Sequence, residues 1–144
     1  MPNKYMRLAK PLVLLQINIG KGATSHKIAL SLANDSLIDI ILIQEPYIFT
    51  DRKWKVTKSH PMYESFTPLD NWNTHPRVMS YVRKGAGLNT TQLWPCFSRD
   101  LIFLQIQTCD LLPLNIINVY NTLVGGTDAG TAIASLMDLP HSLW

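Results

Sequence analysis

The residue whose type and place could do chemistry most directly is Glu45, which ends the apolar run Ile38-Asp39-Ile40-Ile41-Leu42-Ile43-Gln44 and is followed at once by Pro46 and Tyr47. A proline steers the residue before it away from helical geometry, so Glu45 is expected in extended conformation at the end of a buried strand. A carboxylate there suits a hard cation, because one or two carboxylates plus substrate phosphate are the usual protein share of a Mg²⁺ site. The second half of such a site is missing from the sequence. Directly downstream lies a basic cluster, Arg52, Lys53, Lys55 and Lys58, with Trp54 among them. Positive charge beside a candidate metal site suits a polyanionic substrate, although charge alone fits a solvated loop better. Gly20-Lys21-Gly22-Ala23-Thr24-Ser25 superficially resembles a phosphate-binding loop, but Lys21 is followed by Gly22 where Ser or Thr is required, and the spacing of the earlier glycine fails as well. A strand-to-helix turn that uses glycine for its backbone freedom explains it better.

The elements that must position these groups belong to one ordinary domain: 144 residues, 47% hydrophobic, are enough for a real core. The longest apolar segments, near 12–19 and 40–43, fall well short of a membrane span of roughly 20 residues. Lys4, Arg7 and Lys10 precede Pro11-Leu12-Val13-Leu14-Leu15 as in a signal peptide, yet Gln16 and Asn18 interrupt the apolar stretch and no small-residue cleavage site follows, so a first strand is expected. Charge is uneven: residues 1–60 carry nine Lys/Arg against four acids, and residues 101–144 carry three acids and no Lys or Arg. Cys96 and Cys109 have no metal-ligand spacing and are expected to be reduced, buried thiols of an intracellular protein.

Pro11 to Ile19 is a strand-like run, and Thr24 or Ser25 offers an N-cap to a helix whose Ile28, Ala29, Leu32, Ala33 and Leu37 recur at helical spacing. After Glu45 come short strand-like patterns over 62–66, 77–83, 100–107 and 114–120, with Lys84-Gly85-Ala86-Gly87 a tight turn. Gly125-Gly126 precedes Thr127-Asp128, a capping pair for a final helix with Ile133, Leu136 and Met137 on one face, ended by Leu139-Pro140.

The order of these landmarks resembles the endonuclease/exonuclease/phosphatase superfamily: a first strand ending Gln16-Ile17-Asn18, a helix, a second strand ending Gln44-Glu45-Pro46-Tyr47, and a later strand closing on Asn118-Val119-Tyr120-Asn121. The stretch Arg77-Val78-Met79-Ser80-Tyr81-Val82-Arg83-Lys84-Gly85, followed by Ser98-Arg99-Asp100-Leu101, is more specifically similar to the endonuclease domain of non-LTR retrotransposons, particularly fungal ones.

The resemblance implies an α+β fold, an incomplete four-layer α/β/β/α sandwich over residues 11–144 behind a basic lead, 1–10. It implies Glu45 as ligand of Mg²⁺ (or Mn²⁺), Asn18 ordering the metal and phosphate region, Tyr120 with its hydroxyl near the scissile phosphate, and Asn121 beside it. DNA is the implied substrate, a linked reverse transcriptase domain the implied neighbour, and the nucleus the implied place of work. The family's Gly-Asp-x-Asn strand and Ser-Asp-His motif are both missing: none of His26, His60, His75 and His141 follows an Asp, and Asp110, Asp128 and Asp138 sit in unrelated contexts. The chain is therefore expected to be the N-terminal part of a nuclease domain, inactive by itself and only marginally stable, with sheet faces left open. Taken singly, Glu45 could merely end a strand, Asn18 satisfy a turn, and Tyr120 fill core. The competing functional expectations are a non-catalytic relic that binds nucleic acid weakly, and a superfamily member acting on phospholipid or inositol phosphate; the 77–85 and 98–100 stretches argue against the last. Trp54, Trp72 and Trp94 could stack on bases, with loop or core anchoring the safer expectation.

Overall fold

A two-residue alternation in burial organises the chain around a central sheet. In this computed structural model, which describes residues 11–52, 54–68, 75–108 and 112–121, β1 (Leu14–Asn18) leads through α1 (Ala23–Asp35) to β2 (Ile40–Gln44). A hairpin of β3 (Ile48–Asp51) and β4 (Trp54–Thr57) follows, then β5 (Tyr63–Phe66), β6 (Val78–Arg83), β7 (Asn89–Ser98), β8 (Leu101–Gln107) and β9 (Leu114–Val119). One sheet runs β1-β2-β6-β5, with β1 and β2 parallel and the other pairs antiparallel; a second runs β7-β8-β9, and β3-β4 stand as a two-stranded ribbon.

All of β2 is buried, which its uninterrupted apolar run requires of a strand covered on both faces. Ile41 and Ile43, with Met79 and Tyr81 of β6, turn to α1. Ile40 and Leu42, with Val78 and Val82, turn to Ile102, Leu104, Ile106 and Ile116 of the second sheet. Leu101 and Phe103 occupy the opposite face of β8, with Leu93, Ile117 and Val119 against them. Each such fully buried side chain contributes roughly 1.5–3 kcal/mol of transfer free energy. Helix, sheet and sheet thus form successive layers.

Several expectations are corrected here. The helix is capped by Gly22, in extended conformation and without a side-chain hydrogen bond, so Thr24 and Ser25 fall inside its first turn rather than at the cap. Its buried face is His26, Ala29, Leu30 and Ala33, a clean i, i+3, i+4, i+7 stripe, whereas Ile28 and Leu32 are 50% and 59% exposed and Leu37 lies beyond the helix. Counting only apolar residues hid this register, because its first member is a histidine. Two strand regions went unread. The β3–β4 hairpin looked like a solvated loop because it carries the basic cluster. The long β7 opens on Asn89-Thr90-Thr91-Gln92 and contains Pro95, which is tolerated because β7 is an edge strand whose register shifts between Leu93 and Ser98. The Lys84-to-Gly87 turn is present, with Gly85 at φ +72° and Gly87 at φ +73°. The expected final helix after Gly125-Gly126, with Lys53, Trp72, Cys109 and His141, lies outside the described residues.

Candidate active site

At one end of the two sheets, β1, β2 and β9 finish where β6 and β8 begin. Backbone hydrogen bonds stitch these ends together: Tyr120 N–H donates to Asp100 O (2.9 Å), Arg77 N–H to Arg99 O (2.9 Å), Glu45 N–H to Arg77 O (2.9 Å) and Lys21 N–H to Glu45 O (2.8 Å). Glu45 departs from the extended geometry expected before proline. Its φ is +51°, a left-handed conformation that costs a non-glycine residue roughly 1–2 kcal/mol and that persists because both its backbone groups are paired across the corner. The bend turns the chain out of β2, with Glu45 partly buried at the corner.

The Tyr120 hydroxyl donates to Glu45 Oε1 at 3.0 Å, joining residues 75 apart in sequence. That hydrogen bond, more than burial, holds the Tyr120 phenol above its ordinary pKa, so it keeps its proton and remains a donor. The Arg77 guanidinium lies 5.2 Å from the Tyr120 ring centroid and makes a two-pronged ion pair with the fully buried Asp100, whose other cationic neighbour, Arg99, has Nε 3.9 Å away. Arg77 therefore touches both halves of the Glu45–Tyr120 unit, through its ring contact and its carbonyl.

Beneath this corner lies a polar layer between the sheets. Asn118 Oδ1 accepts from Gln44 Nε2 (2.6 Å), and Asn118 Nδ2 donates to Met79 O (2.9 Å) and Ser80 Oγ (3.1 Å), all three side chains being buried. Burying amides without partners would cost on the order of 1–3 kcal/mol each, so the matched set pins the register of β2, β6 and β9 under Glu45. On the helix side, His26 is buried. Its Nδ1 accepts from Tyr47 N–H (3.2 Å), and its Nε2 donates to the Tyr81 hydroxyl (2.8 Å), whose proton goes on to Lys58 O (2.7 Å). Burial first, and the Lys58 charge second, lower the His26 pKa to about 4.

A cleft of about 450 Å³ opens here, lined by Lys21, Glu45, Tyr47, His75, Arg77 and Arg99. Among the described residues its only acidic lining residue is Glu45, so an anionic ligand meets basic walls and one carboxylate there. The other expected site residues stand nearby with different engagements. Asn18 pairs in register with Gln44 and is exposed, its Oδ1 accepting from Gly20 N–H at 2.9 Å, and it does not line the cleft. Asn121 is exposed just after Tyr120. Of the basic cluster, Arg52 sits at the hairpin tip (φ +54°), Lys55 is half-buried on β4, and Lys58 Nζ lies 5.4 Å from the centroid of the cleft-lining Tyr47 ring. Arg77, Asp100, Asn118 and His26 were given no role by sequence alone. The first three lay within the family-like stretches, and a polar residue inside an apolar strand, as Asn118 after Ile116-Ile117, is itself a signal of a buried partner.

The helix and the sheets together make a mixed α/β fold. Among solved structures it is similar to the endonuclease domain of TRAS1, a telomere-specific non-LTR retrotransposon, with a TM-score of 0.68 and 16% identity over 93% of this chain and 54% of that one. The chain thus spans about half the length of that domain. No protein-family model and no curated protein sequence matches it.

Proposed function

We propose that the chain forms part of a Mg²⁺-dependent (or Mn²⁺-dependent) phosphodiesterase domain that nicks DNA, as in the insertion of a non-LTR retrotransposon. The observation that carries this reading is the Glu45–Tyr120 pair, with Glu45, among the described residues, the one carboxylate in a cleft whose other charged walls are basic. The donor set suits a hard cation: Glu45 Oε1 receives Tyr120, its second carboxylate oxygen has no hydrogen-bond partner among the described residues, and water and substrate phosphate would complete the shell. Such an ion supplies Lewis-acid stabilisation of charge on the phosphoryl oxygens. Tyr120 orients the carboxylate and sets its hydroxyl near the phosphate, Arg77 holds Tyr120 in place, and Asn18 and Asn121 offer amides at the same end of the sheets. Lys21 and Arg99 neutralise the bound phosphate, and Arg52, Lys53, Lys55 and Lys58 extend the basic surface along the DNA backbone.

In the complete protein this portion, residues 11–144 behind a basic lead at 1–10, belongs to a four-layer α/β/β/α sandwich joined to a reverse transcriptase and working in the nucleus. Among the described residues no three His, Cys, Asp or Glu side chains form a group that could hold a metal ion, so an ion at Glu45 would take its further ligands from water, phosphate or residues outside that set. The same observation favours a second reading, in which the chain alone binds nucleic acid weakly without cutting it. Relaxation of supercoiled plasmid tests both. The chain extended through its reading frame is expected to nick in Mg²⁺, Glu45→Ala to abolish nicking, and the 144-residue chain to bind in a salt-sensitive manner without nicking. Undiminished nicking by Glu45→Ala overturns the assignment.

A further inference from the structure

We propose that the outer face of the β3–β4 hairpin is a stacking platform for unpaired bases, so that the favoured ligand is DNA carrying single-stranded or unstacked nucleotides beside the cleft. The proposal rests on the nucleic-acid reading above and names its substrate class. The strand register places Phe49 opposite Val56, and Trp54 on the same face opposite Asp51. Phe49 and Val56 are 47% exposed and Trp54 is 76% exposed, an unusual position for a side chain whose burial ordinarily dominates packing energetics. None of the three is needed to seat the hairpin. That is done from the opposite face, where Ile48 packs on the helix-side core and the Thr57 hydroxyl donates to Tyr47 O at 2.6 Å.

Charge selects the occupant. The hairpin carries Arg52 at its tip and Lys58 just past β4, its Nζ 5.4 Å from the Tyr47 ring centroid; Lys55, opposite Thr50, belongs to the other face, and Asp51 is the one acid of the stretch, opposite Trp54. Two exposed aromatic rings on a ribbon with cations at its tip and exit suit a single strand, whose bases stack on rings while cations follow the phosphates. A second copy of this chain would set one basic hairpin against another, which like charges oppose. A duplex keeps its base faces within the stack and offers none to Trp54 or Phe49. The platform is also near the chemistry: Tyr47, just before β3, and Ile48, its first residue, line the cleft, and the strand extends only about 10 Å beyond them.

The test is fluorescence anisotropy of the full 144-residue chain in EDTA with three probes: a labelled thymidine single strand of about 16 nucleotides, a duplex of the same length, and heparin as a base-free polyanion. The single strand is expected to bind tighter than the duplex. Trp54→Ala should weaken it about tenfold, Trp54→Phe should restore most of that loss, and heparin binding should be unchanged by either. Equal affinity of wild type and Trp54→Ala for the single strand overturns the proposal, as does a duplex preference, or self-association that Trp54→Ala abolishes without any effect on oligonucleotides. Circular dichroism of each variant confirms that its fold is intact. Binding in EDTA separates this outcome from catalysis: a chain that stacks single strands but whose extended form never nicks retires the nuclease reading alone, and nicking without Trp54-dependent binding retires this one alone.

Discussion

The Glu45 corner and the β3–β4 hairpin are adjacent in sequence and opposite in construction. The corner is over-determined: four backbone hydrogen bonds, a buried ion pair and a carboxylate–phenol bond join segments from β1 to β9, tightly enough to hold Glu45 at a positive φ. The hairpin is two strands of four residues, anchored through one face while its aromatic face stays in water. The contrast separates two demands on one surface. On the proposed reading, groups that meet a reacting phosphate must be placed in advance, which takes contacts from many elements. Groups that grip a pliable polymer work from a ribbon that can adjust, since stacking tolerates variation in angle and sequence.

Mutation should expose the same gradient. The largest effect is expected of Asp100→Ala, which leaves the Arg77 guanidinium without its buried partner. About 3–5 kcal/mol of stability should be lost, read as a lower denaturant midpoint, and a loss under 1 kcal/mol would break the comparison. Next comes pH. His26 has a folded pKa of about 4 against 6.5 in the unfolded chain, so the unfolded state binds the extra proton between these values. The neutral imidazole's contribution is complete above pH 6.5 and drains away as pH falls toward 4, roughly 3 kcal/mol in all. Denaturation at a series of pH values should show that slope, and His26→Gln should flatten it.

Tyr120→Phe should cost about 1 kcal/mol, the worth of one hydrogen bond. Its companion observation sharpens the assignment: ring-proton NMR should show Tyr120 titrating above the ordinary tyrosine range, and Glu45→Gln should bring it back down. Smallest of all, Trp54→Ser at the hairpin should change stability by no more than about 0.5 kcal/mol, because the side chain is exposed. A substantial loss there would mean that the aromatic face serves packing.

Much of this architecture was legible in the chain because strands buried on both sides announce themselves. The run from Ile40 to Ile43 could be little else, and Leu101 to Gln107 alternates between two cores as its pattern suggests. What escaped were elements whose residues contradict their structure. Charges disguised β3 and β4 as loop, a proline and a polar opening disguised β7, and a histidine disguised the buried stripe of α1. Glu45 was found by its place at a strand end, but its backbone conformation was not, because the local preference set by Pro46 is overruled by hydrogen bonds to Lys21 and Arg77, which no nearest-neighbour rule contains. Arg77 and Asp100 needed the fold to meet, being 23 residues apart.

The Glu45–Tyr120 hydrogen bond spans 75 residues, and the Gln44–Asn118 bond beneath it spans 74. Contacts of such separation form only after the entropy of closing a long loop has been met, so they belong to the slow, late part of folding. On a ribosome, β1, α1 and β2 emerge long before β9 can reach them. The carboxylate therefore spends most of the chain's synthesis without its phenol, and the two meet only when the second sheet closes on the first. That delay would keep the carboxylate and the phenol of the corner apart until the fold around them is finished.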